Sequence, residues 1–282
     1  MGFPKLGNRY EFLAKLGEGG FAKVNLARDA HSGFLVAVKT FSHSIEENTP
    51  VVRKFKIEAN IYLGLDHPNI VQLKAPGLII KNNGMHLVME HVDGLTLDKY
   101  IEQVTGPIPL EICLDRFKQI VSAIGFAHNK KISIEGYKGV LHLDLKPNNI
   151  FILPNGSVKV IDYGISQGAG EKRNDGMGTP MYMAPEQLNP HVNLDKRADI
   201  YALGCLLHFM ATGMSPYSAS SIPELVSKVK YEKPLRIQKL YPAAESKFQF
   251  IIDKATQKNP NDRFQSCEEM VKYLDAIKNN TN

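Results

Sequence analysis

A change of hydrophobic period about a third of the way along the sequence does most to constrain the fold of this 282-residue chain. Before Glu90, apolar residues come in short β-branched and aromatic runs, "KVNLA" and "FLVAVKTF", separated by the polar turn "RDAHSG". Strand side chains alternate between two faces, so runs of this length and composition suit a sheet. Further strands are expected in "IVQLKAPGLII" and "MHLVMEHV". One helical stripe interrupts them: Phe55, Ile57, Ile61 and Leu65 in "VVRKFKIEANIYLGL". After Thr96 the helical spacing takes over. In "LDRFKQIVSAIGFAH", Leu114, Phe117, Ile120, Val121 and Ile124 fall on one face. "DIYALGCLLHFMATG" is apolar nearly all round, as a helix buried on every side would be. Strands first and helices second predict an α+β chain of two lobes. The smaller is β-rich with one helix, the larger mostly helical, and the join lies near Glu90–Gly94.

Composition narrows the function classes. A net charge of +5, with acids between the basic residues, makes no concentrated basic patch and argues against a nucleic-acid partner. Cys113, Cys205 and Cys267 lie far apart, which suits a reducing compartment better than a disulfide framework or a zinc site. No apolar run reaches the roughly 18 residues of a spanning helix. The start "MGFPKLGNRY" has no apolar signal core, and Leu6 stands where a myristoylation signal needs Ser or Thr. The expectation is a soluble, cytoplasmic, monomeric protein whose last residues, 277–282, fray.

Chemistry concentrates in "HLDLKPNNIF", from His142 to Phe151. Downstream, "VKVIDYG" reads as a buried strand ending in Asp162. Asn149 and Asp162 would offer hard oxygen ligands, which suit magnesium rather than zinc. Asp144 could accept a proton from an incoming hydroxyl, and Lys146 could balance charge on a transferred phosphoryl group. Phosphoryl transfer needs little more than such positioning and charge neutralisation. Upstream, "GEGGFAKV" lies between two expected strands. Gly17 and Gly19 would let the backbone turn tightly and bring its amides close to a phosphate. "VAVK" then places Lys39 after a buried alternation, and Glu58 on the following helix could hold its ammonium. If that pair is buried, removing one partner should cost roughly 3–5 kcal/mol.

In order, "GEGGFAKV", "VAVK", Glu58, "HLDLKPNN", "DYG", "APE" at Ala184–Glu186, "DIYALG" and Arg263 in "NPNDRF" resemble the eukaryotic-type protein kinases over nearly the whole chain. "DLKPNN" and "GTPMYMAPE" resemble the serine/threonine branch. The resemblance implies a bilobal protein-kinase fold in one catalytic domain over residues 1–282, with lobes of about 1–92 and 93–276. It implies ATP and magnesium bound between the lobes, and a protein Ser or Thr hydroxyl as acceptor. Asp144 would be the catalytic base, Lys146 would meet the γ-phosphate, and Thr179 would neighbour Asp144. Lys39, paired with Glu58, would contact the α- and β-phosphates. Gly17, Gly19, Val24 and Ala37 would contribute to the nucleotide site, while Glu90 and Val92 would present backbone groups to adenine, with Met89 at the gatekeeper position behind them. Asn149 and Asp162 would hold magnesium. Glu186 and Arg263 would form a buried ion pair, and Asp199 would anchor the catalytic loop through backbone amides.

The sequence departs from the family at three places. Ala22 replaces the third glycine of the phosphate loop, and Tyr163 replaces a phenylalanine. Leu143 replaces the arginine that normally precedes the catalytic Asp and grips a phosphorylated activation loop. Leucine offers no such bond, so activity is expected without phosphorylation of the 162–186 segment, whose acceptors are Ser166, Thr179 and Tyr182. Asn148 stands where many basophilic kinases carry Glu, which weakens a strictly basic recognition motif. Two other readings stay open: an ATP-binding scaffold without transfer, and a small-molecule phosphotransferase of related fold. "NKKISIEGYKG", residues 129–139, reads as a lengthened surface loop.

Overall fold

β-Branched residues put "LVAVKTF" in the interior of a six-stranded antiparallel sheet. The computed structural model describes residues 5–19, 22–41, 50–81, 84–131, 139–163, 180–240, 242 and 246–279. The chain divides into two units, Met1–Asp93 and Gly94–Asn282. In the first, the strands are β1 (Lys5–Leu6), β2 (Tyr10–Glu18), β3 (Ala22–Asp29), β4 (Leu35–Phe41), β5 (Leu73–Lys81) and β6 (Gly84–Glu90), with helix α1 at Pro50–Gly64. Their order across the sheet is β1-β2-β3-β4-β6-β5.

Register decides which side chains share a face. Val38 of β4 lies opposite Val88 of β6, and Val36 opposite Ala27 of β3. These four pack with Leu6 and Tyr10 into one core cluster, covered further by Phe12 and Ile79. With a period of two, the alternate residues Ala37 and Lys39 must point to the other face. Their neighbours there are Leu26 and Met89 beside Ala37, and Val24 and Leu87 beside Lys39. The core on one face thereby dictates what the opposite face presents.

The second unit begins with β7 (Leu95–Thr96) and the short helix α2 (Leu97–Tyr100), then α3 (Leu110–Asn129). β8 (Ile150–Ile152) and β9 (Val158–Val160) pair with each other, and β8 pairs with β7, in a small antiparallel sheet. The helical pattern after Thr96 had not suggested this sheet. α4 (Arg197–Thr212), α5 (Ile222–Tyr231), α6 (Ile237–Leu240), α7 (Ser246–Ala255) and α8 (Cys267–Asn279) follow. α8 runs to Asn279, past residue 276, where the folded lobe was expected to stop. All five residues of the α3 stripe are buried. α4 is buried on nearly every side, as its unbroken apolarity requires. At Gly204 a Cβ would lie 2.7 Å from Ala255 Cβ, so glycine lets α4 and α7 approach closely. Among the described residues, no helix is long and apolar enough to cross a membrane.

Candidate active site

The glycine-rich hairpin joins β2 to β3, with Gly17 opposite Val24 and Glu18 opposite Lys23. Neither Gly17 nor Gly19 has a positive φ, and among the described residues a Cβ built on either meets no atom within 4 Å. The tight turn expected at these glycines is therefore not what requires them, and neither is crowding by the described residues. What remains is the open space that the missing side chains leave beside the backbone. That space fits close approach of a phosphate to the main chain. On the neighbouring strands, Lys39 Nζ donates to Glu58 Oε1 of α1 at 2.7 Å. The two side chains are 14% and 5% exposed, so the pair is largely withdrawn from water. Ala37 and Met89 are buried, while Val24, Glu90 and Val92 are half-buried. Glu90 is tied to Gln72 in both directions: its N–H donates to the Gln72 carbonyl, and its Oε1 accepts the Gln72 N–H, each at 2.9 Å.

In the second unit, His142 to Asn149 form a short loop that ends in a single 3-10 turn, Pro147–Asn149, before β8. Asp144 Oδ2 accepts from Lys146 Nζ at 2.7 Å and from Asn149 Nδ2 at 3.1 Å. Asn149 Nδ2 also donates to the Asp144 carbonyl at 2.8 Å. With its nitrogen committed to Asp144, the Asn149 side chain keeps its amide oxygen for another partner. The backbone brings Asp162 near: the Asn149 carbonyl accepts the N–H of Ile161, the residue before Asp162, at 2.9 Å. The strand expected to end in Asp162 stops at Val160, and Asp162 lies beyond it with φ +69. An amide oxygen and a carboxylate fit magnesium, whose remaining positions water and phosphate oxygens commonly fill. Among the described residues, no cluster of three His, Cys, Asp or Glu could hold a metal by itself.

His142 is fully buried with both ring nitrogens engaged. Nε2 donates to the Ile161 carbonyl at 3.0 Å, which leaves Nδ1 to accept the Asp144 N–H at 3.3 Å. Its ring packs against buried Tyr163, centroids 4.6 Å apart. Both ring nitrogens being used by the backbone, His142 acts as a packing and positioning residue beneath the loop.

A wholly buried carboxylate holds the loop from below. Asp199, in the first turn of α4, accepts the His142 N–H at 2.8 Å and the Leu143 N–H at 2.7 Å. Its Oδ2 is also 2.8 Å from His128 Nε2 on α3. Burial pushes the Asp199 pKa up, but the His128 bond and the neighbouring imidazoles and amides outweigh it and hold the group below its ordinary value. Leu143 is 3% exposed and sits at φ +61. Its carbonyl accepts from Gln187 Nε2 at 3.0 Å. Farther on, Arg263 grips Glu186 with both arms, at 2.6 and 2.8 Å. Its other three N–H groups donate to the carbonyls of Gln257, Arg197 and Lys258.

The structure thus joins Lys39 to Glu58 in one unit, and Asp144, Lys146 and Asn149, with Asp162 close by in the chain, in the other. Thr179 and Ser166 lie outside the described residues, as do residues 132–138 of the lengthened loop. Sequence reasoning passed over His128 and Gln187. A signal existed for each: His128 continues the buried α3 stripe four residues after Ile124, and Gln187 directly follows "APE".

Known proteins with similar sequences carry related names. A probable serine/threonine-protein kinase of Clostridium perfringens is 33% identical over 281 residues, covering 98% of this chain and 39% of that protein. The serine/threonine-protein kinase PrkC of Bacillus subtilis is 33% identical over 270 residues, 94% of this chain and 40% of that protein. PknB of Mycolicibacterium smegmatis, also named a serine/threonine-protein kinase, is 32% identical over 273 residues, 94% of this chain and 42% of that protein. The chain spans about two fifths of the length of these relatives. The family description "protein kinase domain" matches residues 10–274, and the strand-rich first unit and helical second unit have that domain's architecture, so the chain belongs to the protein kinase domain family.

Proposed function

We propose that this chain transfers the γ-phosphoryl group of magnesium-bound ATP to a serine or threonine hydroxyl of a protein. The observation that carries the reading is the environment of the Asp144 carboxylate, held between Lys146 Nζ and Asn149 Nδ2. A carboxylate fixed on one oxygen keeps the other in a defined direction for an acceptor hydroxyl. As that hydroxyl oxygen bonds to the γ-phosphorus, the bond from phosphorus to the β–γ bridging oxygen breaks, ADP departs, and Asp144 takes the hydroxyl proton. Lys146 offsets charge on the group in transit, and Thr179 is assigned to the same neighbourhood.

Lys39, oriented by Glu58, is assigned to the α- and β-phosphates. Gly17 and Gly19 leave room for the phosphates, Val24 and Ala37 flank the base, and Glu90 and Val92 offer it backbone groups. Asn149 and Asp162 would hold magnesium, which when bound supplies positive charge against the phosphate oxygens. The reading places the chain in the cytoplasm, in keeping with three buried, unpaired cysteines.

We also infer that the catalytic loop needs no phosphate on the 162–186 segment. Where the family arginine would reach for that phosphate, Leu143 is buried, and Asp199 and Gln187 hold both of its peptide groups internally. Treatment with a phosphatase should leave turnover within about twofold, and loss of most turnover would refute this part.

The primary test is Asp144→Asn, assayed with γ-labelled ATP, a mixed protein substrate and phosphoamino-acid analysis of the product. Loss of a general base should cut transfer by about 10²–10⁴-fold, while calorimetry shows magnesium–ATP still bound. Undiminished transfer would overturn the role of Asp144, and label found only on small metabolites would overturn the acceptor class.

A further inference from the structure

Leu143 lies immediately before the proposed base in a backbone conformation that non-glycine residues seldom adopt, φ +61. Such a conformation persists only where the surroundings over-determine it. The peptide linking Leu143 to Asp144 is held from both sides. Its N–H donates to His142 Nδ1 at 3.3 Å, and its C=O accepts from Gln187 Nε2 at 3.0 Å. That peptide plane sets the direction in which the Asp144 side chain leaves the backbone. His142 is itself fixed by Ile161 and Asp199, so the outer support of the plane is Gln187.

Gln187 has a second attachment. Its Oε1 accepts the Ala184 N–H at 2.9 Å, and the whole side chain is 7% exposed. The amide orientation is dictated by its partners. A carbonyl at Leu143 demands a donor and an N–H at Ala184 demands an acceptor, which a primary amide of this length supplies together and an ionised carboxylate does not. Ala184 opens the "APE" segment, Ala184–Glu186, which in the kinase reading builds the floor under the acceptor peptide. One side chain therefore clamps that floor to the peptide unit that aims the base, across 44 residues of sequence.

We infer that Gln187 is a positioning residue for phosphoryl transfer, tying the acceptor-docking segment to the orientation of Asp144. This inference rests on the protein kinase reading above. It assigns Gln187 no contact with ATP, so nucleotide binding should not depend on it, whereas alignment of the acceptor hydroxyl with the base should. A displacement of about 1 Å between reacting groups can cost roughly 100-fold in rate.

Two variants test it. Gln187→Met keeps the length and removes both hydrogen bonds. Gln187→Glu keeps the acceptor for Ala184 but turns a second oxygen on the Leu143 carbonyl. With peptide and ATP saturating, both should lower kcat about 10- to 100-fold, with KM for ATP and calorimetric ATP affinity within twofold of the unsubstituted chain. The Gln187→Glu defect should also shrink as pH falls, measured as the ratio to the unsubstituted chain at each pH. Protonation restores a donor to the introduced carboxyl, and burial against a carbonyl raises its pKa. A purely structural role would instead lower Tm while leaving kcat per folded molecule unchanged. That result, or kcat within twofold in both variants, overturns the inference. If the unsubstituted chain transfers no phosphate to any protein, the kinase reading falls and takes this one with it. Transfer that is indifferent to Gln187 defeats this inference alone.

Discussion

Replacing Arg263 by lysine keeps the positive charge and removes the fork. The guanidinium makes five hydrogen bonds from five N–H groups: two to Glu186 and three to the carbonyls of Gln257, Arg197 and Lys258. Its side chain is fully buried, Glu186 is 12% exposed, and the guanidinium carbon lies 5.0 Å from the centre of the Tyr201 ring. A lysine ammonium has three N–H groups, so at best three of the five acceptors stay satisfied. Leaving two buried acceptors without donors, at roughly 1–3 kcal/mol each, gives about 2–6 kcal/mol. That is a large part of the 5–15 kcal/mol typical of a whole domain. Urea unfolding followed by far-UV circular dichroism should show the midpoint falling with the m-value unchanged. A double-mutant cycle with Glu186→Gln should return a coupling of at least about 1 kcal/mol between the two positions. A midpoint shift worth less than about 1 kcal/mol would show that the five bonds are replaceable and that the pairing does not hold this segment.

Two further perturbations separate fold from function. Asp199→Asn places an amide nitrogen against N–H donors and should cost about 2–5 kcal/mol at neutral pH. Because the folded-state pKa of Asp199 is depressed, its contribution is fully present above the unfolded value near 3.8 and is lost as pH falls through the folded value. The Tm gap between variant and unsubstituted chain should therefore be constant from pH 7 to about 5 and narrow below 4; a constant gap down to pH 2 would contradict the assignment. Gly19→Ala should leave Tm within about 1 °C, since the added Cβ meets no atom of the described residues, yet weaken ATP binding measurably; lost stability with unchanged binding would reverse the interpretation of that glycine.

Much of the fold was legible because burial imposes a period on the sequence. The α3 stripe at Leu114, Phe117, Ile120, Val121 and Ile124 is buried as its spacing implied, and α4 is as enclosed as its apolarity required. Of the small sheet, only β9 was anticipated, as the strand in "VKVIDYG"; β7 and β8 escaped notice because strands of two or three residues are too short to show an alternation. The site was legible in part. Asp144, Lys146 and Asn149 share one loop, and their spacing of two and five residues already puts them within reach of one another. The pairing of Lys39 with Glu58 spans 19 residues and was anticipated, since few carboxylates follow on the next helix. Of the two reasons given for Gly17 and Gly19, the tight turn finds no support, since neither has a positive φ, whereas room for a phosphate beside the backbone is compatible with their surroundings.

By itself, the sequence determined which residue types are available and in what local order: a strand-rich region, a helical region, and a loop with an acid, a lysine and an amide at fixed spacing. These are short-range properties, because side-chain period and loop reach depend only on neighbours along the chain. Only the tertiary structure decided how buried polar groups are paired over long separations. Asp199 meets the amides of His142 and Leu143 across 57 and 56 residues, and Arg263 meets Glu186 across 77, pairings that the family resemblance implied but that no local pattern in the sequence contains. Gln187 reaches the carbonyl behind Asp144 across 44. A hydrogen bond acts over about 3 Å and in one direction, so which distant donor meets which acceptor is settled when the helices and loops pack together. In this chain those pairings fix the backbone around residues whose types and local order the sequence had already supplied.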